Sequence, residues 1–254
     1  GTPEVWVHNV ARYTSSRFTF DPGTDRDPVW SPDGSRLAIR SNRNDRFNIY
    51  VRALNGVGGE TLLFESRQNA NIHDWSRDGR SMLFTQVDPD GKTDRDIWIL
   101  PIEENRGPHP LLRAPFNQDF GRFSPSGRFV SYQTEDSGRN KTFVMTYPDT
   151  GDKWEISPDG GVQPIWRADG KELFYVAPDN TITAVDVREG PRTIEFGTPK
   201  RLFQAPIAII AARQPNWTWD VSADGQRFLI ILAKDDPAPL TLVTNWLADV
   251  REKN

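Results

Sequence analysis

Side-chain catalysis needs a nucleophile beside a base, or ligands converging on a metal, and this sequence holds few residues suited to either. There are no cysteines, which removes thiolate nucleophiles, disulfides and zinc–thiolate sites together. The three histidines, His8, His73 and His109, are widely spaced, with no H-E-x-x-H and no pair one helical turn apart. No Gly-x-Ser-x-Gly turn, Walker loop, Gly-x-Gly-x-x-Gly or kinase signature occurs. Gly56-Val-Gly58-Gly59 reads as a hairpin turn, not a phosphate cradle, because no helix follows it. The densest run of carboxylates is Asp88-Pro-Asp-Gly-Lys-Thr-Asp-Arg-Asp96. Asp88, Asp90 and Asp94 would be the oxygen donors of a Ca²⁺ site there. The spacing departs from the twelve-residue loop and no Glu closes it, so the segment reads as an acidic, solvated hairpin. Glu135–Asn140 reads the same way. No metal and no cofactor is expected. The chain reads as a non-enzyme; the alternative is a carbohydrate-active enzyme with Asp, His and Arg clustered at one surface.

Recognition is the chemistry left, and its candidates stand just ahead of a recurring phrase. They are Arg26 and Asp27, His73 and Asp74, Asp119 and Arg122, Gln163, and Trp217. The set is polar, aromatic and mixed in charge, which suits a small molecule, a glycan or a protein. His73 is singled out because an exposed imidazole titrates near neutral pH, while the alternative is a hydrogen-bonded turn residue. Trp217 and Trp219 share one face of an extended chain, a spacing that suits stacking on a sugar or peptide. Trp219 suits the core equally well. The apolar stretch Ala205–Ala212 could cap a channel, contact a partner or lie near a membrane. Its core, Ile207–Ala212, is the longest apolar run, far below the ~20 residues of a membrane helix, so no insertion by this segment is expected.

The recurring phrase is what must position these residues. Trp30-Ser-Pro-Asp-Gly34 returns as Trp75-Ser-Arg-Asp-Gly79, Phe123-Ser-Pro-Ser-Gly127, Trp166-Arg-Ala-Asp-Gly170 and Val221-Ser-Ala-Asp-Gly225. The steps between glycines are 45, 48, 43 and 55 residues, the range of propeller blades. In the first unit, Pro28–Ser31 enters a turn whose Pro32-Asp33-Gly34 supplies a preset φ and a residue tolerant of positive φ. Arg36–Ile39, Phe47–Val51 and Thr61–Phe64 follow as three more short strands. Third strands recur at Asp96–Leu100, Thr142–Thr146, Thr181–Val185 and Leu240–Asn245, and fourth strands at Pro110–Arg113, Lys153–Ile156 and Lys200–Phe203. The expectation is an all-β propeller of four-stranded antiparallel blades, with negligible helix beyond a turn at Trp246–Glu252. The motif aromatics Trp30, Trp75, Phe123 and Trp166 should pack between blades. The candidate residues then gather at the mouth of a central channel, on loops carried by a rigid scaffold.

The whole chain, 1–254, reads as one propeller domain: a partial blade at 1–20, then blades at 24–66, 69–114, 117–159, 161–205 and 216–247. Glu4–Val10 resembles a third strand and Arg17–Phe20 a fourth, with no first or second strand ahead of them. Six positions with one blade incomplete is the favoured reading; the alternative is a five-bladed closed ring. Unpaired terminal strands invite pairing within the chain or self-association with a second copy. Net charge is −4, with 31 Lys and Arg interspersed among 35 Asp and Glu, so no nucleic-acid partner is indicated. At 36% hydrophobic and 26% charged, the chain is ordinary for a folded domain and unlike a disordered one. The first residues show no signal-peptide pattern, so a targeting segment is expected to have been removed or never to have existed.

The "WSPDG" phrase, the "SNR" after the second strand and the "DIW" of a third strand resemble the TolB-like, WD-repeat-like β-propellers of bacteria. "RFTFDPGTDRDPVWSPDG", "APFNQDFGRFSPSGRFVSYQTEDSGRN", "WRADGKELFY" and "DVSADGQRFLI" followed by "LTLVTNW" are similar to the C-terminal propeller of bacterial transmembrane serine/threonine protein kinases. The resemblance implies a periplasmic or extracellular sensor or scaffold domain preceded by a membrane helix and a kinase. A TolB-type envelope scaffold is the alternative it leaves open. It carries over no functional residue.

Overall fold

The computed structural model describes residues 2–10, 12–56, 59–88, 90–91, 93–102, 106–136, 138–148, 151–191, 193–205, 217–231 and 241–244, leaving out the side chains of 136 and 241–244. These residues form strands and turns with no helix, and none of them forms a helix able to cross a membrane. The contacts divide the chain into two compact units, Gly1–Pro115 and Phe116–Asn254.

The first unit holds a two-stranded sheet, β1 (Trp6–Asn9) and β2 (Thr14–Arg17), and two four-stranded sheets. One is β3 (Asp25–Trp30), β4 (Arg36–Asn44), β5 (Arg46–Ala53) and β6 (Glu60–Phe64); the other is β7 (Asn71–Trp75), β8 (Ser81–Val87), β9 (Arg95–Pro101) and β10 (His109–Leu112). The second unit holds β11 (Gln118–Phe123), β12 (Phe129–Asp136), β13 (Arg139–Thr146) and β14 (Lys153–Glu155) as one sheet. Beside it is a sheet of β15 (Val162–Trp166), β16 (Glu172–Val176), β17 (Thr181–Glu189), β18 (Ile194–Phe196) and β19 (Lys200–Gln204). A third comprises β20 (Trp219–Val221), β21 (Arg227–Ile230) and β22 (Thr241–Thr244). The leading strands of each sheet follow one another in space as in sequence, and all pairing is antiparallel, which short hairpins permit.

The repeated phrase builds the first hairpin of each sheet. Gly34, Gly79, Gly127, Gly170 and Gly225 all have φ between 68° and 76°, the left-handed conformation that glycine adopts without a Cβ clash. Each donates its N–H to the carbonyl three residues back, at 2.8–2.9 Å. Ser31, Ser76 and Ser222 donate their hydroxyls to Asp33, Asp78 and Asp224 inside the turn.

Packing follows from strand alternation. On β4, Leu37 and Ile39 point one way, into a cluster with Val5, Phe18 and Tyr50; Ala38 points the other way, into a cluster with Ile49, Trp75, Met82 and Phe84. In the second unit, Phe129, Val144, Trp166 and Leu173 share one cluster, and Phe174, Trp219, Phe228 and Ile230 another. Each full sheet is a slab buried against its neighbours in the unit.

Several expectations need correction. Trp75, Phe123 and Trp166 are buried, but Trp30 is 48% exposed. Trp75 is covered by the sheet before it, through Val29, Ala38 and the Arg36 guanidinium, whereas β1–β2 offers only two strands ahead of Trp30. The second N-terminal strand is Thr14–Arg17, not Arg17–Phe20, and Phe18 instead donates its N–H to the Val5 carbonyl. β18 was not anticipated; it pairs with the far end of β17 and brings Phe196 within 6.0 Å of the Trp154 ring. The turn at Trp246–Glu252 and the apolar run Ile207–Ala212 lie outside the described residues.

Candidate functional site

The first strand of each of four sheets carries a β-bulge at the position where the candidate residues sit. β3 matches Arg26 to Arg40 and then Val29 to Ala38; β7 matches Ile72 to Phe84 and then Asp74 to Leu83. β11 matches Asp119 to Gln133 and then Arg122 to Ser131; β15 matches Val162 to Val176 and then Ile165 to Phe174. Each inserts one extra residue, which breaks the alternation and re-aims the side chains beside it. Asp27, Phe120 and Gln163 take φ of 51°, 54° and 54°, a conformation that non-glycine residues hold only when their surroundings fix it.

In the first unit the bulges bring Asp27 and His73 into a buried polar cluster. Arg40 Nε is ion-paired with Asp27 Oδ2, and its Nη1 donates to Asn71 Oδ1. The same guanidinium lies 4.3 Å from the centroid of Phe47. His73 is wholly buried, and its Nε2 shares a hydrogen bond of 2.9 Å with Thr85 Oγ1. Burial pushes the Asp27 carboxyl above its ordinary range, and the positive charge of Arg40 pulls against that rise, with His73 and Arg26 adding to the pull. Arg26 and Asp74 are half-buried on the same two strands. His73 is thus hydrogen-bonded, but within strand β7 and not in a turn, and it does not present its ring to solvent.

In the second unit the bulges bring together Asp119, Arg122, Gln163 and Trp217. The Arg122 guanidinium lies 4.1 Å over the Trp217 ring, and Phe120 meets that ring edge-on at 4.9 Å. Gln163 Oε1 accepts from Thr218 N at 3.2 Å and from Thr218 Oγ1 at 2.9 Å. Gln163 N donates to Gln133 Oε1 at 3.3 Å, and Gln133 Nε2 donates to Asn140 at 3.0 Å. Asp119 is buried and accepts the N–H of Phe120 at 3.0 Å. Trp217 and Arg122 are half-buried, and the Trp217 side chain also packs against the core cluster that holds Val162 and Trp219. Trp219, by contrast, is in the core, stacked on Phe228.

The carboxylate loop is not the solvated hairpin its composition suggests. Asp90 and Asp94 are exposed, but Asp88 and Asp96 are buried. Asp88 accepts from Arg113 Nη2 at 2.5 Å and from the N–H groups of Asp90 and Thr93, each at 3.3 Å. Asp96 accepts from the Thr93 hydroxyl, and burial raises its pKa. The carboxylates organise a turn. Among the described residues no group of three or more His, Asp or Glu is placed to hold a metal.

Sequence reasoning missed Arg40, Asn71, Phe120, Gln133 and Thr218. Arg40 carried a usable signal: an arginine directly after the apolar run Leu37–Ile39 must find a partner when the strand carries it inward. Phe120 carried none, since an aromatic in a strand reads as core.

The model of the TolB beta propeller domain family matches residues 1–147. Tol-Pal system protein TolB of Helicobacter pylori is 26% identical over 135 residues, which is 52% of this chain and 31% of that protein. An uncharacterized peptidase of Bacillus subtilis, YuxL, is 26% identical over 171 residues, 63% of this chain and 24% of that protein. The chain thus spans a third or less of the length of these relatives. Among solved structures, TolB from Acinetobacter baumannii has a TM-score of 0.73 at 16% identity, covering 94% of this chain and 56% of that one. An oligogalacturonate lyase from Vibrio parahaemolyticus has a TM-score of 0.63 at 11% identity, covering 95% and 68%. At these identities the structural likeness speaks for the fold.

Proposed function

We propose that this chain, which belongs to the TolB beta propeller domain family, is a non-catalytic module that binds a protein partner through the surface where its first strands begin. The observation that carries this reading is the Trp217 cluster. A half-buried tryptophan held by an arginine on its face and a phenylalanine on its edge has the composition of an interface hot spot. Gln163 ties the backbone next to it to the bulge of β15, so the platform is ordered before a partner arrives. The relative named for a Tol–Pal system supports a protein over a sugar as the partner class.

We assign the module to the extracytoplasmic side of a membrane-anchored serine/threonine kinase, as its sensor or scaffold domain. Two measurements test this. A photo-reactive residue at position 217 should give a discrete protein adduct in cells, and Arg122→Ala should abolish it; absence of any adduct would overturn the binding role. The open reading frame upstream should encode a kinase domain and one apolar helix of about 20 residues. A frame encoding a secreted protein with no kinase would overturn the kinase assignment and favour a TolB-type envelope scaffold.

A further inference from the structure

The sequence places an acidic residue or its amide directly ahead of glycine seven times: six Asp-Gly steps and one Asn-Gly, at Asn55-Gly56. At such steps a chain can react with itself, because glycine has no side chain to keep its backbone nitrogen from the neighbouring γ-carbon. The structure separates Asn55 from the six aspartates. In the phrase turns, Oδ1 of Asp33, Asp78, Asp169 and Asp224 accepts the N–H two residues on, each at 3.0 Å. Hydrogen bonding holds these four carboxyls below the ordinary range, so they are ionised at neutral pH, and a carboxylate is a poor acyl centre. The carboxamide of Asn55 is neutral. The nucleophiles differ as well. In the six Asp-Gly turns the glycine N–H is tied to a carbonyl at 2.8–3.0 Å, whereas Gly56 N reaches the Ala53 carbonyl at 3.2 Å. Asn55 and Gly56 are both exposed, and a Cβ built on Gly56 would meet nothing within 4 Å.

We propose that Asn55-Gly56, in the turn between β5 and β6, is a site of spontaneous covalent modification with water as its only co-reactant. The Gly56 nitrogen gives its proton to solvent and attacks Asn55 Cγ. The new N–Cγ bond forms as the Cγ–Nδ2 bond breaks, and Nδ2 takes a proton from solvent and leaves as ammonia. Water then opens the five-membered imide. Addition at Cγ leaves an aspartate; addition at the backbone carbonyl carbon leaves an isoaspartate, whose main chain is one methylene longer. Either product adds one negative charge at neutral pH. The turn is anchored on both sides. Leu54 N donates to the Ser35 carbonyl at 2.9 Å, and Arg52 pairs with Glu60 where the strands resume. The extra methylene therefore falls between two fixed points, beside the turn of the repeated phrase.

The test incubates the folded protein in mildly alkaline heavy-oxygen water and follows label in its peptides by mass spectrometry. An unfolded peptide spanning residues 50–60 serves as the reference. Label should enter position 55 no more than about tenfold more slowly in the folded protein than in the peptide, because an exposed turn opens at little cost. It should enter at least about tenfold faster than at any Asp-Gly step, where ionisation opposes the attack. Isoaspartyl methyltransferase should then methylate the aged protein and leave aged Asn55→Gln unmethylated. A folded-protein rate further below that of the peptide overturns the proposal, since the turn would then lock the nitrogen away. Label entering the Asp-Gly turns as fast as position 55 overturns it too, and so does equal methylation of Asn55→Gln.

Discussion

Trp75→Ala isolates the structural role of the repeated phrase. The side chain is 3% exposed, packs among Val29, Ala38, Ile49 and Met82, and carries the Arg36 guanidinium 5.0 Å from its ring. A buried tryptophan hides ~200 Å² of mostly apolar surface, worth ~5 kcal/mol at ~25 cal/mol/Å². Measured Trp→Ala losses in cores of about 3–5 kcal/mol bracket that value. The cation–π contact adds about 0.5–1 kcal/mol. The indole N–H donates to the Gly79 carbonyl at 3.0 Å, but that carbonyl sits on a partly exposed turn and rehydrates. The expected loss is therefore about 5 kcal/mol, the upper end of that measured range, or about 10–20 °C in melting temperature for a chain of this size. Urea denaturation should show the midpoint fall with little change in slope. Trp30→Ala is the matched control: with half of its surface already in water, it should lose about half as much. A Trp75→Ala loss below about 1 kcal/mol, or one no larger than that of Trp30→Ala, would refute the reasoning that burial between sheets is what the phrase supplies.

Arg43→Met should cost about 3–5 kcal/mol by urea denaturation, because it strips the cation from buried carboxylates. Arg43 contacts Asp21 at 2.8 Å, Glu60 at 2.6 Å and Asp25 at 3.5 Å, and a loss under about 1 kcal/mol would mean that Arg52 compensates alone. Gly161→Ala should cost about 1–3 kcal/mol by overpacking. The new Cβ would stand 2.6 Å from the Tyr175 ring and 2.7 Å from Ser157 Cβ, so an unchanged melting temperature would show that this wall gives way. Acidification should destabilise the protein through the turn aspartates. Ser31, Ser76 and Ser222 hold Asp33, Asp78 and Asp224 below the ordinary range, and Arg167 and Arg201 hold Asp169 and Asp179 down to about 2. Depressed carboxylates stabilise the fold above their unfolded pKa of about 4 and lose that contribution as pH falls. The melting temperature should therefore drop between about pH 4 and pH 2, and a rise across that window would contradict the assignment.

The strands were legible in the sequence because turn chemistry and alternation agree. A Pro or Ser, an Asp and a Gly at fixed offsets, followed by a short apolar run, leave few other conformations open. Strand ends were less legible: β4 runs on to Asn44, through polar residues whose backbone pairing does not depend on side-chain type. β18 was hidden for the opposite reason. It is three residues long and is held by pairing with β17 and by Trp154, contacts that no local pattern announces. The exposure of Trp30 was equally unreadable, because it depends on what the neighbouring sheet contains and not on the phrase itself.

The candidate site was legible in part, and the bulges explain which part. Offset from the phrase put Asp27, His73, Asp119, Arg122 and Gln163 on the first strands, where the bulges lie, because every first strand enters its turn in the same way. It did not predict what those side chains touch, because one inserted residue reverses the face on which its neighbours fall. Gln163, read along a regular strand, would sit on the same face as Ile165, which packs in the core; with the bulge it reaches Thr218. Asp27, likewise displaced, meets Arg40 in place of water. The conformational cost of a positive φ at Asp27, Phe120 and Gln163 is of order 1–3 kcal/mol each, and local packing must offset it. A repeat that served only to stack sheets would have no use for such residues, since glycine, or a regular strand, would fold with less strain. Held in that conformation, Phe120 brings its ring to Trp217 and Gln163 brings its amide oxygen to Thr218.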